Sequence, residues 1–440
     1  MDSKQYIVVV EISSSRISAI AATMDSVSKD VTEVCHVEEP VNGSVRYGSI
    51  INVDEVYTKV GQVLDKIEKH GKISPRKIDR VFVGIDARSL CSENVKVERA
   101  ISEDFPITEA LVKSVEEEAR KGFEHLDVLM VEPVCYEVDG KEVVNPVGAI
   151  GNHLSAIYTI VACKTQIRRF ISMVIERLGV KLAGVVVTPV AVSELVLTDS
   201  ERRLGAMLVD MGADTTSVAI YKANKLVYVS VMPMGSRNIT RDLTTLNILE
   251  EDAERIKRTF GLSAETDIPK GDIMPGVDSI VALNYIKSRA GEIVANIANQ
   301  LKEAGIEPED LPSGVVLVGR GSKLKGFKEE LHNALGMDVR RGSIPGVGGK
   351  DEYNDRVGAL ALLDKASSMM MEGETCMLLP EMPKPEEEHE EETVEEKKPN
   401  KRKAEKTSSP RSSWWNRLTG KLGAGIDTVL GGEDDEDEKK

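Results

Sequence analysis

Two distant segments of the chain repeat the same order of patterns. Each begins with an apolar run that ends in a carboxylate, continues through a short turn of small polar residues, and enters a second apolar run. The first starts at Tyr6 (YIVVVEISSSRISAIAA) and the second at Ala206 (AMLVDMGADTTSVAIYK). Short apolar runs bounded by small polar residues are typical of strands, and a repeated block indicates a repeated supersecondary unit. The chain is therefore predicted to contain two related β-hairpins.

The composition indicates a folded chain of acidic character. Its 440 residues exceed the usual size of one domain, and a hydrophobic content of 41% is enough to form cores. The formal net charge of −16 and the aromatic content of 4% argue against nucleic-acid binding, which uses basic surfaces and base stacking. We therefore expect no nucleic-acid partner.

Several other classes are disfavoured because their sequence patterns are missing. Five cysteines are scattered without a CxxC pair, so we expect no zinc ribbon or disulfide scaffold, and a reducing, cytosolic compartment. The N-terminal apolar run is too short for a signal peptide, and no run of about 18 apolar residues predicts a membrane span. The hydrolase, metalloprotease and P-loop patterns GxSxG, HExxH and GxxxxGK(S/T) are absent.

Strand-like runs alternate with helical spacing up to about residue 380, which predicts an α/β body. Helical spacing is clearest from Val53 to His70 and from Ser279 to Ala304. Beyond residue 380, prolines and blocks of like charge replace the apolar runs. Such a composition cannot bury enough apolar surface to fold, so we predict a disordered charged linker over 379–412.

The turn of the second repeat has the chemistry of a phosphate site. Gly212 leaves room for a phosphate near the backbone, Thr215 and Thr216 offer hydroxyl donors, and Asp210 could hold Mg²⁺ through water. In the first repeat, Ser13, Ser14 and Ser15 supply hydrogen-bond donors, and Arg16 supplies positive charge. Glu11 is the carboxylate at the end of its apolar run. Each turn taken alone is also consistent with an ordinary polar hairpin.

A third turn follows the buried run Val315–Val318. Gly319, Arg320 and Ser322 lead from this strand into a helix, so the backbone there could lie flat against a purine or a ribose. The alternative is a simple helix start with Ser322 as its cap.

In this order, the three turns resemble the two phosphate motifs and the adenosine motif of the actin-like ATPase superfamily. The resemblance implies two ribonuclease H-like domains around a nucleotide cleft that holds ATP and Mg²⁺, with Asp210 and Glu11 bound to the metal through water. The residues that it places around the cofactor are Glu11, Ser13, Ser14, Ser15, Arg16, Asp210, Gly212, Ala213, Asp214, Thr215, Thr216, Gly235, Glu254, Lys257, Gly319, Arg320 and Ser322.

A narrower resemblance is carried by residues 132–154, with the pieces Val138-Asp139-Gly140 and Asn145-Pro146-Val147-Gly148, and by residues 235–242. These stretches are similar to the bacterial cell-division family FtsA, whose members carry an inserted α+β subdomain. The resemblance implies two parts of the first actin-like domain at 1–86 and 166–200, separated by the insert at 87–165. It further implies a second domain at 201–345 with an outer subdomain at 233–311, a return to the first domain at 346–378, the linker at 379–412, an amphipathic helix at 413–432 and an acidic tail at 433–440.

The chain departs from the family pattern at positions that matter for catalysis. Glu11 and Ser13 stand where Asp and Gly are usual, Thr188 stands where Glu is usual, and Arg320 interrupts a glycine-rich turn. A carboxylate at the position of Thr188 would orient the attacking water. We therefore expect ATP binding, with weak or absent hydrolysis and no confidently assigned catalytic residue.

The segment from Trp414 to Leu430 has an apolar stripe at helical spacing, flanked by basic residues. This pattern favours a helix that lies in the headgroup region of an anionic membrane. A helix that packs on a partner or on the body is the alternative. The membrane residues are predicted to be Trp414, Trp415, Leu418, Leu422 and Ile426, with Arg417 and Lys421.

The family resemblance implies a peripheral protein on the cytoplasmic face of the inner membrane at the division septum. Such a protein polymerises, tethers filaments of the tubulin-like protein FtsZ and contacts later division proteins. The resemblance also points to Arg289, with Glu292, as residues that receive the C-terminal peptide of FtsZ, because a guanidinium can clamp a carboxylate. Arg289 in a solvated or internal ion pair is the alternative. The alternative functions are an active chaperone-type ATPase and an adaptor similar to the pilus protein PilM.

Overall fold

The structure is a computed structural model that describes residues 4–102, 105–344 and 355–380. The predicted amphipathic helix, the acidic tail and the linker from residue 381 onward lie outside the described residues. No helix within the described ranges is both long enough and apolar enough to cross a membrane. The helices in the described ranges are α1 Val53–Glu68, α2 Glu109–Arg120, α3 Thr165–Arg177, α4 Thr188–Val196, α5 Asp199–Leu204, α6 Ser236–Thr244, α7 Glu250–Phe260, α8 Ser279–Glu303, α9 Phe327–Leu335 and α10 Val357–Met369.

The strands are more numerous than the sequence patterns predicted. They are β1 Lys4–Ile12, β2 Arg16–Asp25, β3 Val31–Pro40, β4 Val45–Arg46, β5 Ser49–Ile50, β6 Lys77–Ile78, β7 Arg80–Ile85, β8 Cys91–Ala100, β9 Leu126–Val138, β10 Lys141–Val143, β11 His153–Lys164, β12 Lys181–Val187, β13 Ala206–Met211, β14 Thr216–Lys222, β15 Lys225–Met232, β16 Asp272–Met274, β17 Val277–Asp278, β18 Val315–Val318, β19 Val339–Arg341 and β20 Met377–Leu378.

The first repeat builds a five-stranded sheet with the order β12-β7-β1-β2-β3. Strands β1, β2 and β3 are antiparallel neighbours, whereas β7 and β12 run parallel to β1. Residues Ile7 to Val10 of β1 are fully buried, which explains their continuous apolar run. Helix α10, near the end of the described chain, packs against β1 and β2 and completes this domain.

The second repeat builds the same arrangement. Strands β15, β14 and β13 are antiparallel, and β18 and β19 continue the sheet in parallel with β13. The strand order and directions match those of the first sheet, so the predicted repeat of hairpin units is confirmed. Two ribonuclease H-like sheets therefore lie within one chain. One face of the second sheet packs on the helices of its own domain, whereas the other face, which includes Leu208 and Ala219, joins the core of the first domain.

An inserted α+β subdomain lies between β7 and α3. Strands β8, β9, β10 and β11 form its sheet, and α2 packs on one face over a core that includes Leu154 and Tyr158. Its strand β8 also pairs with β15 of the second domain at Cys91 and Ser230. The insert and the second domain consequently share one nine-stranded sheet.

Two local predictions were wrong for identifiable reasons. Strand β3 was not predicted because its sequence VTEVCHVEEP is mostly polar, as suits an exposed edge strand. The helix predicted from Arg237 to Leu249 ends at Thr244, and the helix predicted from Asp252 to Phe260 begins at Glu250. Asn247 adopts a left-handed backbone with φ of 61°, which a continuous right-handed helix cannot contain.

The buried core of the second domain should contribute strongly to the stability of the protein. Phe327 of α9 is fully buried, so Phe327→Ala should lower the free energy of unfolding by about 3–5 kcal/mol through lost burial and a cavity. Urea denaturation measures this change. The matched control is Phe105→Ala, because Phe105 is 73% exposed and its loss should change stability little. Equal effects of the two substitutions would contradict the described core.

Candidate functional site

A cavity of about 1150 Å³ lies where the two ribonuclease H-like sheets face one another. Its walls come from the turns β1–β2 and β13–β14, the turn after β18, the starts of α6 and α10, and one face of α7. A cavity of this size can hold a nucleotide. It is lined by Glu11, Ser13, Ser14, Ser15, Arg16, Asp86, Asp210, Gly212, Ala213, Asp214, Thr215, Ser236, Arg237, Leu249, Glu250, Glu251, Glu254, Lys257, Arg258, Gly319, Arg320, Gly321, Lys323, Leu324, Asp355, Val357 and Gly358.

The first turn is closed by a hydrogen bond from the Ser13 amide to the Arg16 carbonyl, at 3.0 Å. The Ser13 hydroxyl donates to the same carbonyl at 2.8 Å, so it shapes the turn. The amides of Ser14 and Ser15, by contrast, donate to no acceptor among the described residues. All five residues predicted from this turn, including Glu11, line the cavity.

The second turn has the same closure, because the Gly212 amide donates to the Thr215 carbonyl at 2.8 Å. Asp210, Gly212, Ala213, Asp214 and Thr215 line the cavity as predicted. Thr216 does not reach it, since its hydroxyl donates to the carbonyl of Met234 at 2.8 Å.

The fully buried carboxylate of Asp214 binds two arginines of α6. Its oxygens lie 3.3 Å from Arg237 Nη1 and 3.2 Å from a terminal nitrogen of Arg241. The same Arg237 nitrogen donates to the Ser14 carbonyl at 3.1 Å. Arg237 thus ties the second turn to the first across the cavity, a role that the sequence analysis did not assign.

The third turn approaches the second so closely that only glycine fits. A Cβ atom on Gly319, which has φ of 88°, would lie 2.3 Å from Asp210 Oδ1, and one on Gly321 would lie 2.7 Å from the carbonyls of Met211 and Gly212. Ser322 does not line the large cavity, because its hydroxyl donates to the Gly319 carbonyl at 2.7 Å. The alternative prediction that Ser322 caps a helix is also wrong, because Ser322 lies inside the 3₁₀ helix Arg320–Lys323 and the residue that precedes α9 is Gly326.

Gly235 also lies behind the turn and not on the cavity wall. A Cβ atom there would be 2.4 Å from the Ala213 carbonyl oxygen. Its contribution is therefore to let the start of α6 pack against the second turn.

Three carboxylates meet in the deepest part of the cavity. Burial, together with the charges of Asp86 and Glu11, raises the pKa of Asp210 to about 7. Burial raises the pKa of Asp86 to about 6 and also raises that of Glu11, although Arg16 and Arg320 oppose the latter shift. Glu11 Oε2 is buried and accepts no hydrogen bond from the described residues. This concentration of partly neutralised carboxylates favours a nearby cation.

The carboxylates are not arranged as a direct metal cage. Among the residues that the structure describes, no group of three or more His, Cys, Asp or Glu side chains could hold a metal ion. The predicted contacts of Glu11 and Asp210 with Mg²⁺ through water stay a prediction.

Asp86 was missed by the sequence analysis. It follows directly after β7, which is the parallel neighbour of β1, so Glu11 and Asp86 come from the same edge of one sheet. The available signal was an acidic residue at the end of the buried run VFVGI. That signal becomes informative only once β7 is known to lie beside β1.

The outer part of the cavity contains the predicted pair on α7. Lys257 Nζ lies 2.6 Å from a Glu254 oxygen and donates to the Ser236 carbonyl and the Thr240 hydroxyl, at 3.2 and 3.0 Å. Burial lowers the pKa of Lys257, while Glu254 opposes this shift. Burial pushes the pKa of Glu254 upward, but hydrogen bonds from Lys257, Thr240 and Arg258 lower it overall. The two charges therefore stabilise each other at the cavity wall.

Arg320 and Arg16 meet at the cavity mouth from opposite domains. Both guanidiniums donate to the Asp355 carbonyl, at 3.2 and 3.0 Å, and both lie within 3.3 Å of Glu38 Oε2. The residue that interrupts the expected glycine-rich turn consequently joins the two domains at the mouth.

Comparisons with known proteins identify the family. Residues 207–358 match the model of the cell division protein FtsA, and residues 87–162 match the model of the SHS2 domain inserted in FtsA. The chain is 30% identical over 318 residues to FtsA of Porphyromonas gingivalis, covering 70% of this chain and 66% of that protein. The chain belongs to the FtsA family.

Other relatives agree with this assignment. FtsA of Bacillus subtilis is 26% identical over 376 residues, covering 82% of this chain and 84% of that protein. A solved PilM-PilN type IV pilus biogenesis complex superposes with a TM-score of 0.59 at 15% identity, covering 82% of this chain and 98% of that chain. The latter likeness concerns the fold alone. The predicted actin-like fold with an inserted subdomain is confirmed, and the protein is a cell-division protein of the actin-like superfamily.

The two predicted partner residues of this FtsA-family chain lie on α8, away from the cavity. Arg289 Nε lies 2.6 Å from Asp242 Oδ2, and Nη2 lies 3.1 Å from Asp242 Oδ1. Arg289 also donates to Glu292. Arg289 therefore belongs to an ion pair that joins α6 to α8. Its role toward a partner stays a prediction.

The raised pKa of Asp210 predicts how stability depends on pH. Since its pKa is higher in the fold than the usual 3.8, the folded state binds the extra proton between about pH 4 and 7, and stability falls as pH rises through that window. Asp210→Asn removes the free-energy cost of ionising this buried side chain. Without metal or nucleotide, the variant should therefore exceed the wild type in melting temperature by several degrees more at pH 8 than at pH 5.

Differential scanning fluorimetry in a chelating buffer measures these melting temperatures. Asp30→Asn is the control, because Asp30 is exposed in the turn between β2 and β3. An Asp210→Asn difference that stayed constant between the two pH values would contradict the electrostatic description of the site.

Proposed function

We propose that this FtsA-family protein binds ATP with Mg²⁺ in the cavity and acts as an actin-like adaptor that tethers FtsZ filaments to the membrane. The observation that carries the nucleotide part is the pair of equivalent turns facing one another beside partly neutralised carboxylates. Phosphates are anionic acceptors, and the cation that accompanies them offsets the charge of the carboxylates.

The residues present fit this cofactor. The amides of Ser14, Ser15, Ala213 and Asp214 donate to no acceptor among the described residues, so they remain available to phosphate oxygens. Asp210 and the buried, unbonded oxygen of Glu11 would hold Mg²⁺ through water. Gly319, Arg320, Glu254 and Lys257 would line the adenosine side. When bound, the metal would neutralise phosphate charge.

The nucleotide proposal predicts that Asp210→Ala strongly weakens Mg-ATP binding. Loss of a water-mediated metal contact should reduce affinity by at least about tenfold, which corresponds to about 1.4 kcal/mol. Isothermal titration calorimetry measures the change, and circular dichroism checks that the variant stays folded. The matched control is Asp30→Ala, whose exposed side chain lies outside the cavity lining. Wild-type ATP affinity in Asp210→Ala would refute the assignment of this cavity.

The membrane part of the proposal rests on the C-terminal sequence. The segment from Trp414 to Leu430 combines an apolar stripe with the basic residues Arg417 and Lys421. One such helix binds reversibly, so a polymer that presents many tails would bind an anionic surface far more firmly. This would place the protein on the cytoplasmic face of the inner membrane at the septum, where later division proteins assemble.

Flotation with phosphatidylglycerol-containing vesicles tests the tether. Deletion of residues 412–432 should abolish flotation, and Trp415→Glu should nearly do so, because a charge on the apolar face opposes insertion. Removal of the acidic tail 433–440 should preserve it and is the control. Flotation of the protein lacking residues 412–432 would favour a helix that docks on a partner.

The same assay addresses the FtsZ partner. FtsZ filaments should float only when the intact protein is present. Arg289→Glu should reduce FtsZ recruitment while the variant itself still floats, because the charge reversal removes the guanidinium that would clamp the peptide carboxylate. Undiminished FtsZ recruitment by this variant would exclude Arg289 from the partner site.

A further inference from the structure

A small side chamber opens behind the two phosphate-site turns. Its volume is about 30 Å³, which is enough for a bound water molecule. Several of its lining residues also line the large cavity, so the two spaces adjoin. The chamber is lined by Glu11, Ile12, Ser13, Ser14, Gly48, Gly84, Asp86, Thr188 and Thr215.

The backbone around the chamber is tightly packed, which fixes the position of Asp86. A Cβ atom on Gly48, whose φ is 71°, would lie 1.9 Å from the Asp86 carbonyl oxygen. A Cβ atom on Gly84 would lie 2.7 Å from Thr188 Oγ1. Asp86 and Thr188 directly follow two neighbouring strands, β7 and β12. Gly84 places no side chain between them.

The Asp86 carboxylate is held from one side only. Its Oδ1 accepts a hydrogen bond of 2.6 Å from the Ser217 hydroxyl, which belongs to the second domain. Its Oδ2 accepts no hydrogen bond from the described residues. One carboxylate oxygen is thus oriented by the protein, while the other remains able to accept a proton of a water molecule in the chamber.

We propose that Asp86 binds and orients the water that attacks the terminal phosphate of ATP in this cavity. This inference rests on the proposed nucleotide binding and adds a catalytic residue to it. Thr188 occupies the place of the expected carboxylate, and Asp86 supplies a carboxylate to the same chamber from the adjacent strand. The group that orients water has moved from the end of β12 to the end of β7.

The reaction balances without any further reactant. The water oxygen forms a bond to the terminal phosphorus while the bond from that phosphorus to the bridging oxygen breaks. The electron pair of the broken bond stays with the oxygen of ADP. The products are ADP and inorganic phosphate, and the proton released from water passes to the phosphate or to solvent. Asp86 directs the water by accepting a hydrogen bond from one of its protons.

A purely structural role for Asp86 makes different predictions. Its hydrogen bond with Ser217 joins the two domains, so loss of this contact alone could disturb the cavity. Asp86→Asn retains an oxygen that accepts from Ser217 but removes the carboxylate. Ser217→Ala removes the interdomain hydrogen bond but retains the carboxylate. Comparison of the two variants therefore distinguishes a role of Asp86 in orienting water from a role in joining the two domains.

Three measurements on the full-length protein test the assignment. Calorimetry gives the affinity for Mg-ATP, and single-turnover experiments give the rate of phosphate release. Calorimetry with ADP, with and without aluminium fluoride, gives the affinity for a mimic of the transferring phosphate and its attacking water. Asp86→Asn should lose about tenfold or more in phosphate release and in the gain of affinity that aluminium fluoride provides, and this loss should exceed any change in its affinity for Mg-ATP.

Ser217→Ala should retain clearly more phosphate release, and more of the gain of affinity from aluminium fluoride, than Asp86→Asn. Asp86→Glu should partly restore both quantities. Wild-type phosphate release and wild-type aluminium fluoride response in Asp86→Asn would overturn the inference while leaving nucleotide binding intact. Equal losses in Asp86→Asn and Ser217→Ala would overturn it in favour of an interdomain contact. Absence of phosphate release from the wild type would overturn it as well. Failure of the wild type to bind ATP would refute the proposed function itself.

Discussion

Three carboxylates are buried close together in the site, which costs electrostatic free energy. The rest of the site depends on how this cost is offset. Glu11, Asp86 and Asp210 lie at the ends of three strands from two sheets, where burial raises the pKa of each. Repulsion from Glu11 adds to the rise in the pKa of Asp86, and repulsion from Asp86 and Glu11 adds to that of Asp210. The protein offsets only part of this cost. Arg16 approaches Glu11 at 3.9 Å, and Ser217 donates to Asp86. The remaining charge would favour a ligand that brings a cation with it.

Close backbone approaches make this arrangement sterically possible. A Cβ atom on Gly358, at the start of α10, would lie 2.3 Å from Glu11 Oε1. The longer side chain at position 11 therefore fits because α10 presents no side chain to it. Gly319 plays the same part for Asp210. Glycine at these two positions is required by the space next to each carboxylate.

The fold and much of the site could be predicted from local patterns, because both hairpins are continuous in sequence. Their apolar runs and polar turns indicate the elements without any long-range information. Asp86 could not be found in this way, since its place in the site depends on the parallel pairing of β7 with β1. Thr216 and Ser322 were assigned to the cofactor by motif, but a turn of a few residues directs side chains to both of its sides. Periodicity does not reveal that orientation.

The shared nine-stranded sheet joins the insert to the second domain, although the chain connects the insert directly to the first domain. The insert is covalently continuous with the first domain through β7 and α3, yet β8 bonds to β15 of the second. The Ser92 hydroxyl also exchanges hydrogen bonds with the amide and carbonyl of Val229, at 2.7 and 3.2 Å, and Thr159 donates to the Leu226 carbonyl at 2.9 Å. A hinge rotation between the domains must therefore either shear these bonds or turn the insert. The orientation of the insert is therefore fixed by bonds to both domains.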